Sequence, residues 1–422
     1  MTQPEAVIDS EVEQFTEEAR VWLDANVARR AAEDELEPGQ PFSVSVFHAL
    51  TFEEERALLD ELQAWNHRRA ARRYHAITWP AEYGGLGLSK DHARAYGRVE
   101  SEYASPPRHE LFSVTTGLIA PTVRQFGDDV QKKQFIDALL RTDIYCCQLF
   151  SEPSAGSDLA ALSCRAVKDG DEWVVNGQKV WSSGAQFAQW GELIARTDPD
   201  VPKHKGLTAF LVPLDSPGIE VRQIKQMSGG QSFNEVFFTD VRIPDRLRLG
   251  PVGDGWNVAL TTLGFERDHS STGGGGPRPG GTWPHVLATA RALGRTGDPL
   301  VRQALARVYT QSRVESFLNR RAADLRAAGA PPGPEGSIGK LFWTEGMRRM
   351  SDAVSLIVGP ALVADTGQWA TWAWGEHVLG APGYRIAGGS DEVQRNIIGE
   401  RVLGLPAEPR TDKNTPWRDI PR

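Results

Sequence analysis

The pair Glu266-Arg267, at the end of the segment LGFER, is the first place where this chain offers acid–base chemistry. A carboxylate held beside a weakly acidic group can remove its proton, and a neighbouring guanidinium favours the ionised form of that carboxylate. On its own, however, a Glu–Arg pair on a helix is usually an exposed ion pair, because charged side chains are seldom buried. A catalytic role for Glu266 therefore needs support from elsewhere in the chain.

Small residues gather at two other places where a ligand could approach the backbone closely. Residues 149–158 read LFSEPSAGSD, and residues 386–392 read IAGGSDE. Glycine carries no side chain that would block a ligand, and serine hydroxyls both donate and accept hydrogen bonds. Both segments are therefore candidates for contact with a bound small molecule.

Hydrophobic spacing divides the chain into three parts that would position these residues. Helical spacing dominates up to about Arg141, strand-like alternation up to about Arg248, and helical spacing returns after Asp254. The sequence therefore predicts an α+β fold. Its predicted units are an N-terminal helical domain (1–144), a middle β domain (145–250) and a C-terminal helical domain (251–422).

Within the middle part, Asn176-Gly177 lies between two apolar runs, Trp173-Val174-Val175 and Lys179-Val180-Trp181. An Asn-Gly pair between such runs is a strong predictor of a two-residue turn. We therefore expect a β-hairpin with its turn at these two residues.

Composition excludes some classes of function. The chain has 422 residues and a net charge of −8, which argues against general binding of nucleic acid. Its three cysteines, Cys146, Cys147 and Cys164, have neither metal-ligand nor disulfide spacing, so no metal site is predicted. The first 18 residues are polar and acidic, which predicts neither a signal peptide nor a membrane span, and we expect a cytoplasmic protein.

Taken together, these segments resemble the signatures of the acyl-CoA dehydrogenase family. Residues 149–158 resemble its middle signature, and residues 386–406, from IAGGSDEVQRNIIGER to LGLP, resemble its C-terminal signature. Further similar segments are WPAEYGGLG at 79–87, NGQKVWSS at 176–183 and NEVFFTDVRIP at 234–244. The resemblance runs through nearly the whole chain and implies an acyl-CoA dehydrogenase-like fold.

This resemblance implies a specific reaction, the FAD-dependent α,β-dehydrogenation of an acyl-CoA thioester to the trans-2-enoyl-CoA. In one branch of the family the base is a glutamate at the position of Gly388. In another branch, similar to the isovaleryl and long-chain enzymes, the base comes from an earlier helix and precedes an arginine, as Glu266 precedes Arg267. The resemblance therefore makes Glu266 the base, Arg267 a substrate-side neighbour that sets its ionisation, and the Gly388 amide a donor to the thioester oxygen.

The resemblance also implies which residues would bind the flavin. Phe150 and Ser151 would meet the edge of the ring, and Gly156 and Ser157 would form a tight turn at which Ser157 also meets the substrate. Trp181 and Ser183 would lie on the other side of the ring. The remaining candidates are Ser390 and Glu392, the latter standing where the family often has glutamine.

The implied partners are an acyl-CoA substrate, an electron acceptor similar to electron-transfer flavoprotein, and further subunits in a homotetramer or dimer. The family commonly has a phenylalanine three residues after an arginine, where this chain has Arg295 followed by Asp298, so the half of the flavin site built across subunits departs from the pattern. A heterotetramer therefore stays open. Two other functions also stay open: a flavin-free or heteromeric partner subunit, and a flavin oxidase or dehydrogenase that acts on a carrier-protein thioester.

Overall fold

Helices, then a sheet, then helices is the order of elements in the computed structural model, as the sequence predicts. It describes residues 10–30, 43–271, 279–328, 333–364, 367–369, 371–410 and 412–421, and within these the side chains of 266–271 and 326–327 lie outside the description. None of the helices in these ranges is long and apolar enough to cross a membrane.

Six α-helices lie in the described residues of the N-terminal part. They are α1 (Ser10–Asn26), α2 (Phe52–Ala70), α3 (Lys90–Glu100), α4 (Glu110–Val114), α5 (Ala120–Phe126) and α6 (Asp129–Arg141). Helix α2 begins at a capping box, in which the Thr51 hydroxyl accepts from Glu54 N and the Glu54 carboxylate accepts from Thr51 N. A π-helical turn, Thr115–Ile119, joins α4 to α5 in one continuous run.

Eight strands follow and form one sheet. They are β1 (Cys146–Leu149), β2 (Arg165–Asp169), β3 (Glu172–Lys179), β4 (Trp190–Arg196), β5 (Leu207–Pro213), β6 (Ile219–Ile224), β7 (Phe233–Pro244) and β8 (Arg248–Leu249). The strand order is β6-β7-β3-β2-β4-β5-β8, and β1 pairs in parallel with β4. The sheet packs against α5 and α6 through a large apolar core that includes Ile119, Ile136 and Phe210.

The predicted hairpin at Asn176-Gly177 is wrong. Both residues lie within β3, which continues to Lys179 and has a register shift against β7 at this point. The Asn176 side chain exchanges hydrogen bonds with Asp240 on β7, at 2.9 and 3.0 Å, and therefore holds the shifted register. Gly177 has a φ of 151°, and a Cβ there would lie 2.7 Å from the Cα of Cys164. The glycine allows β3 to approach Cys164, the residue before β2, and does not form a turn.

Six α-helices complete the described chain. They are α7 (Gly255–Ser271), α8 (Trp283–Ala292), α9 (Pro299–Ala327), α10 (Gly336–Val358), α11 (Thr371–Tyr384) and α12 (Asp391–Ile397). On α10 the buried residues Met347, Met350, Val354 and Ile357 recur at three or four positions, which places them on one face. That face joins a second apolar core with Trp374 of α11. The exact domain limits, at 144/145 and 250/251, stay a prediction.

Candidate functional site

Residues 150–158 begin where β1 ends, and one buried ion pair fixes them against β3. The Lys179 ammonium donates to the Phe150 carbonyl oxygen at 2.9 Å and to Glu152 Oε1 at 2.8 Å. Glu152 also accepts from Ser163 N, Ser163 Oγ and Cys164 N at 2.7 to 2.9 Å. Burial alone would raise the pKa of Glu152, but Lys179 and these donors hold it below its ordinary value.

Glu152 and Lys179 are two residues that the sequence interpretation missed, although both lie inside the quoted segments. Lys179 is 0% exposed, which is rare for a lysine. Because a buried charge requires a partner, the pair holds residues 150–152 in one position relative to the end of β3. The available indication of this ion pair in the sequence was one charged residue of each sign, a glutamate and a lysine, inside the two segments that resemble the family.

The chain leaves β3 through Trp181 and Ser183, two of the predicted flavin contacts. Trp181 has a φ of 62°, and its side chain is 58% exposed. A bulky residue rarely adopts this left-handed conformation, and an exposed indole gains little from apolar packing. Such an outlier supports a binding role, because strained residues gather at ligand sites. Ser183 is half-buried two residues further on.

Two predicted contacts from distant parts of the chain lie side by side. Ser157 Oγ donates to Ser390 Oγ at 3.4 Å, although 233 positions separate the two residues. Ser390 is also the N-cap of α12, where its hydroxyl accepts from Val393 N at 3.3 Å. Gly156 is exposed, and a Cβ built on it would meet nothing within 4 Å. The two small-residue segments therefore border one common surface.

Side chains of α10 and α12 hold the glycine turn that precedes α12. Gly388 and Gly389 have φ values of 63° and 84°, which favour glycine. Gln394 Nε2 donates to the carbonyl oxygens of both, at 3.0 and 3.2 Å. Lys340 Nζ donates to the Gly389 oxygen at 2.6 Å. Glu392 is exposed on the first turn of α12.

Glu266 belongs to α7, one helical turn beyond Thr262. Thr262 Oγ1 donates to Glu192 Oε1 on β4 at 2.8 Å and lies 3.0 Å from Thr122 Oγ1 on α5. These bonds fix α7 against the sheet at that point. The side chains of Glu266 and Arg267 lie outside the described residues. Their assignments, like those of the other candidate residues, stay predictions.

A second polar cluster joins α2, α4 and the segment before α2. His48, Glu55 and His109 bring three potential metal-ligand atoms within 4.8 Å of one another. His109 Nδ1 accepts from Leu111 N, so its Nε2 carries the hydrogen and donates to Glu55 at 2.8 Å. In this arrangement Nε2 has no lone pair for a metal. Burial would raise the pKa of Glu55, but bonds from His109 and His48 lower it to about 2.

Comparison with known proteins agrees with this arrangement. The family models described as acyl-CoA dehydrogenase N-terminal, middle and C-terminal domain match residues 9–143, 147–241 and 253–403. The acyl-CoA dehydrogenase IpdE1 of Mycobacterium tuberculosis is 36% identical over 401 residues, which cover 94% of this chain and 99% of that protein.

Solved structures give the same result. One described as "Tcur3481-Tcur3483 steroid ACAD" is 26% identical with a TM-score of 0.72, over 95% of this chain and 99% of that one. The ChsE4-ChsE5 complex from Mycobacterium tuberculosis is 25% identical with a TM-score of 0.68, over 96% of this chain and 100% of that one. The chain therefore belongs to the acyl-CoA dehydrogenase family, whose members are oxidoreductases that act on the CH–CH group of acyl-CoA thioesters.

Proposed function

We propose that this chain is an FAD-dependent dehydrogenase that converts an acyl-CoA thioester to its trans-2-enoyl-CoA. The observation that carries the proposal is the 3.4 Å contact between Ser157 and Ser390. It joins the two segments that resemble the family's signatures into one surface.

The chemistry of the candidate residues suits a flavin. Trp181 offers an exposed indole face, and an aromatic ring gains from stacking against another planar ring. Gly156 leaves open space where backbone would approach the cofactor, and Ser157 and Ser183 offer hydroxyls for its polar atoms. The buried Glu152–Lys179 pair fixes Phe150 and Ser151 before any ligand binds. Ser390 and Glu392 would hold the remaining polar groups of the cofactor.

The chain's own part in the reaction is proton removal and stabilisation of charge. Glu266 would take the α-proton of the thioester, with Arg267 beside it keeping the carboxylate ionised. The amide of Gly388 would donate to the thioester oxygen as negative charge develops there. FAD, when bound, accepts the β-hydrogen as a hydride. Electrons would then pass to an acceptor similar to electron-transfer flavoprotein.

We further propose that the substrate carries a steroid-derived or other ring-containing acyl group, and that the active enzyme pairs this chain with a second, unlike family subunit. Two similar structures support this, since one is described as a steroid ACAD and the other as a complex of ChsE4 with ChsE5. The departure at Asp298, where the family commonly has phenylalanine, also favours an unlike partner. The alternative assembly is a homotetramer or homodimer of this chain. Measuring the molecular mass of the purified assembly, with and without a co-expressed family member, distinguishes the two kinds of assembly.

The test is the visible spectrum of the purified protein before and after anaerobic addition of acyl-CoA thioesters. Bound flavin should give absorption near the usual flavin bands, and a substrate should bleach it, since reduction removes that absorption. Glu172→Gln, a surface change on β3, serves as the control and should behave as the wild type. Protein that binds no FAD, alone or with its partner subunit, would contradict the proposal.

A further inference from the structure

Two neighbouring residues of the sheet each carry a buried polar atom with no hydrogen-bond partner among the described residues. The two atoms are Gln148 Nε2 on β1 and Glu192 Oε2 on β4. Gln148 and Glu192 are paired in register across the parallel strands, so their side chains leave the sheet on the same face. Polar atoms inside proteins are nearly always paired, and an unpaired one calls for an explanation.

The hydrogen bonds around Glu192 show which kind of partner is missing. The residue is 0% exposed, and burial raises the pKa of its carboxyl to about 8, so it keeps its proton at neutral pH. Its Oε1 accepts from Thr262 Oγ1 at 2.8 Å. The proton therefore belongs on Oε2, which becomes a donor. Gln148 Nε2 is also a donor, so the two atoms together require an acceptor oxygen.

Both residues are connected, in sequence or by a hydrogen bond, to elements that carry the proposed reaction centre. Gln148 precedes Phe150, a proposed flavin contact, by two residues on β1. Thr262, which bonds to Glu192, precedes Glu266 on α7 by four residues, a rise of about 6 Å along the helix. Gln148 is only half-buried, whereas Glu192 is enclosed. The two residues therefore link the sheet to the two segments that carry Phe150 and Glu266.

We propose that Gln148 and Glu192 form a polar subsite that accepts a carbonyl oxygen of the bound acyl group, distant from the thioester. This inference rests on the proposed function and adds the class of substrate, an acyl-CoA thioester with an oxo group on its chain or ring. Such a carbonyl would satisfy both donors at once. A purely hydrocarbon chain would leave them unpaired, so the site would discriminate against it.

The test compares the binding of two matched, non-reactive ligands to the holoenzyme. They are saturated 3-thiaacyl-CoA thioesters of eight to twelve chain atoms, with and without one ketone, in which sulfur replaces the β-carbon and prevents dehydrogenation. Isothermal titration gives the ratio of their affinities. The wild type should bind at least one ketone-bearing ligand about 10-fold or more tightly than its hydrocarbon counterpart, the size expected for two net hydrogen bonds.

Three variants separate the contributions. Gln148→Met and Glu192→Leu remove one donor each and should lower the ratio to about 3-fold, the contribution of the one hydrogen bond that remains. Glu192→Gln keeps both an acceptor for Thr262 and a donor, and should keep most of the preference. Glu172→Gln on the surface should leave the ratio as in the wild type. Circular dichroism and the flavin-to-protein ratio show that each variant is folded.

Each other outcome has a definite meaning. Equal binding of both ligands by the wild type overturns the subsite, and the proposed function stands if other acyl-CoA thioesters still bleach the flavin. If Gln148→Met and Glu192→Leu weaken FAD binding but leave the ligand ratio unchanged, the missing oxygen belongs to the flavin and the inference is wrong. Failure to bind any acyl-CoA thioester overturns the inference together with the proposed function.

Discussion

Glu266 is the residue on which the proposed chemistry depends most directly. The change Glu266→Gln keeps the size and hydrogen bonding of the side chain but removes its ability to accept a proton. We expect flavin reduction by substrate to slow by about 100-fold to 10,000-fold, the usual contribution of a general base, while FAD stays bound. Anaerobic stopped-flow absorbance measures the rate.

The matched control is Glu172→Gln, the same change at a half-buried surface position at the start of β3, where Glu172 pairs with Arg242. It should reduce its flavin at the wild-type rate. If Glu266→Gln also reduces its flavin at the wild-type rate, a different group is the base and the role of Glu266 is structural. A lower flavin content in Glu266→Gln would likewise show that the residue supports cofactor binding and not proton removal.

At this scale the sequence predicted some residues and missed others. Ser157 and Ser390 were selected by resemblance, and the structure brings their hydroxyls together. Glu192 and Gln148 were not selected, because no local pattern marks a buried carboxyl or an unpaired amide. Such atoms are recognised only when the strands are placed in register, which depends on long-range pairing that sequence spacing does not encode.

Among the elements, β3 connects two parts of the proposed site. It ends at Lys179, whose buried ammonium anchors residues 150–152, and it leads directly to Trp181. The sequence predicted the helix, sheet and helix order, because the period of apolar residues changes at the element boundaries. The sequence analysis predicted a turn at Asn176-Gly177 that the structure does not have. The glycine is needed there because the backbone passes close to Cys164, which lies 13 positions earlier in the chain.

The buried ion pair predicts a clear stability difference. Lys179→Met leaves the carboxylate of Glu152 buried without its cation, which should lower the free energy of unfolding by about 3 to 5 kcal/mol. Urea denaturation measures it. The double change Lys179→Met with Glu152→Gln removes both charges and should recover part of the loss. A double variant no more stable than Lys179→Met would show that the ionic interaction is not the cause.

The contact between β4 and α7 predicts a dependence of stability on pH. The folded-state pKa of Glu192, about 8, lies above that of an unfolded glutamate, about 4.3. The folded protein therefore binds this proton more tightly, so its stability is full below about pH 4.3 and falls as the pH rises towards 8. Glu192→Gln cannot ionise. The melting temperature of Glu192→Gln, relative to that of the wild type, should therefore rise between pH 5 and pH 8. The corresponding change in the free energy of unfolding is about a few kcal/mol. A constant difference across this range would contradict a buried, protonated Glu192.

Across the whole molecule, the last residues of the chain return to the middle sheet. Trp417 N donates to the Val201 oxygen at 2.9 Å, and the Trp417 indole donates to the Ala161 oxygen at 3.1 Å. The Arg196 guanidinium lies 4.6 Å from the centre of the Trp417 ring. Lys203 Nζ pairs with Asp412 at 2.7 Å and with Asp158, next to Ser157, at 2.8 Å. This C-terminal segment, 412–421, thus supports the loop that carries Ser157.

This arrangement leads to a prediction for Trp417→Ala. The change removes a half-buried indole and its hydrogen bond, so the free energy of unfolding should fall by about 1 to 3 kcal/mol. The loop at Asp158 should also become less fixed, so FAD should dissociate several-fold faster. Trp372→Ala on α11, where the indole is 47% exposed, is the matched control and should change neither quantity much.

Urea denaturation measures the stability of both variants, and flavin fluorescence after dilution measures the rate of FAD release. Trp417 contacts Ala161, Arg196 and Val201, none of which is a proposed flavin contact. A faster release of FAD with unchanged stability would therefore contradict the supporting role inferred from these contacts.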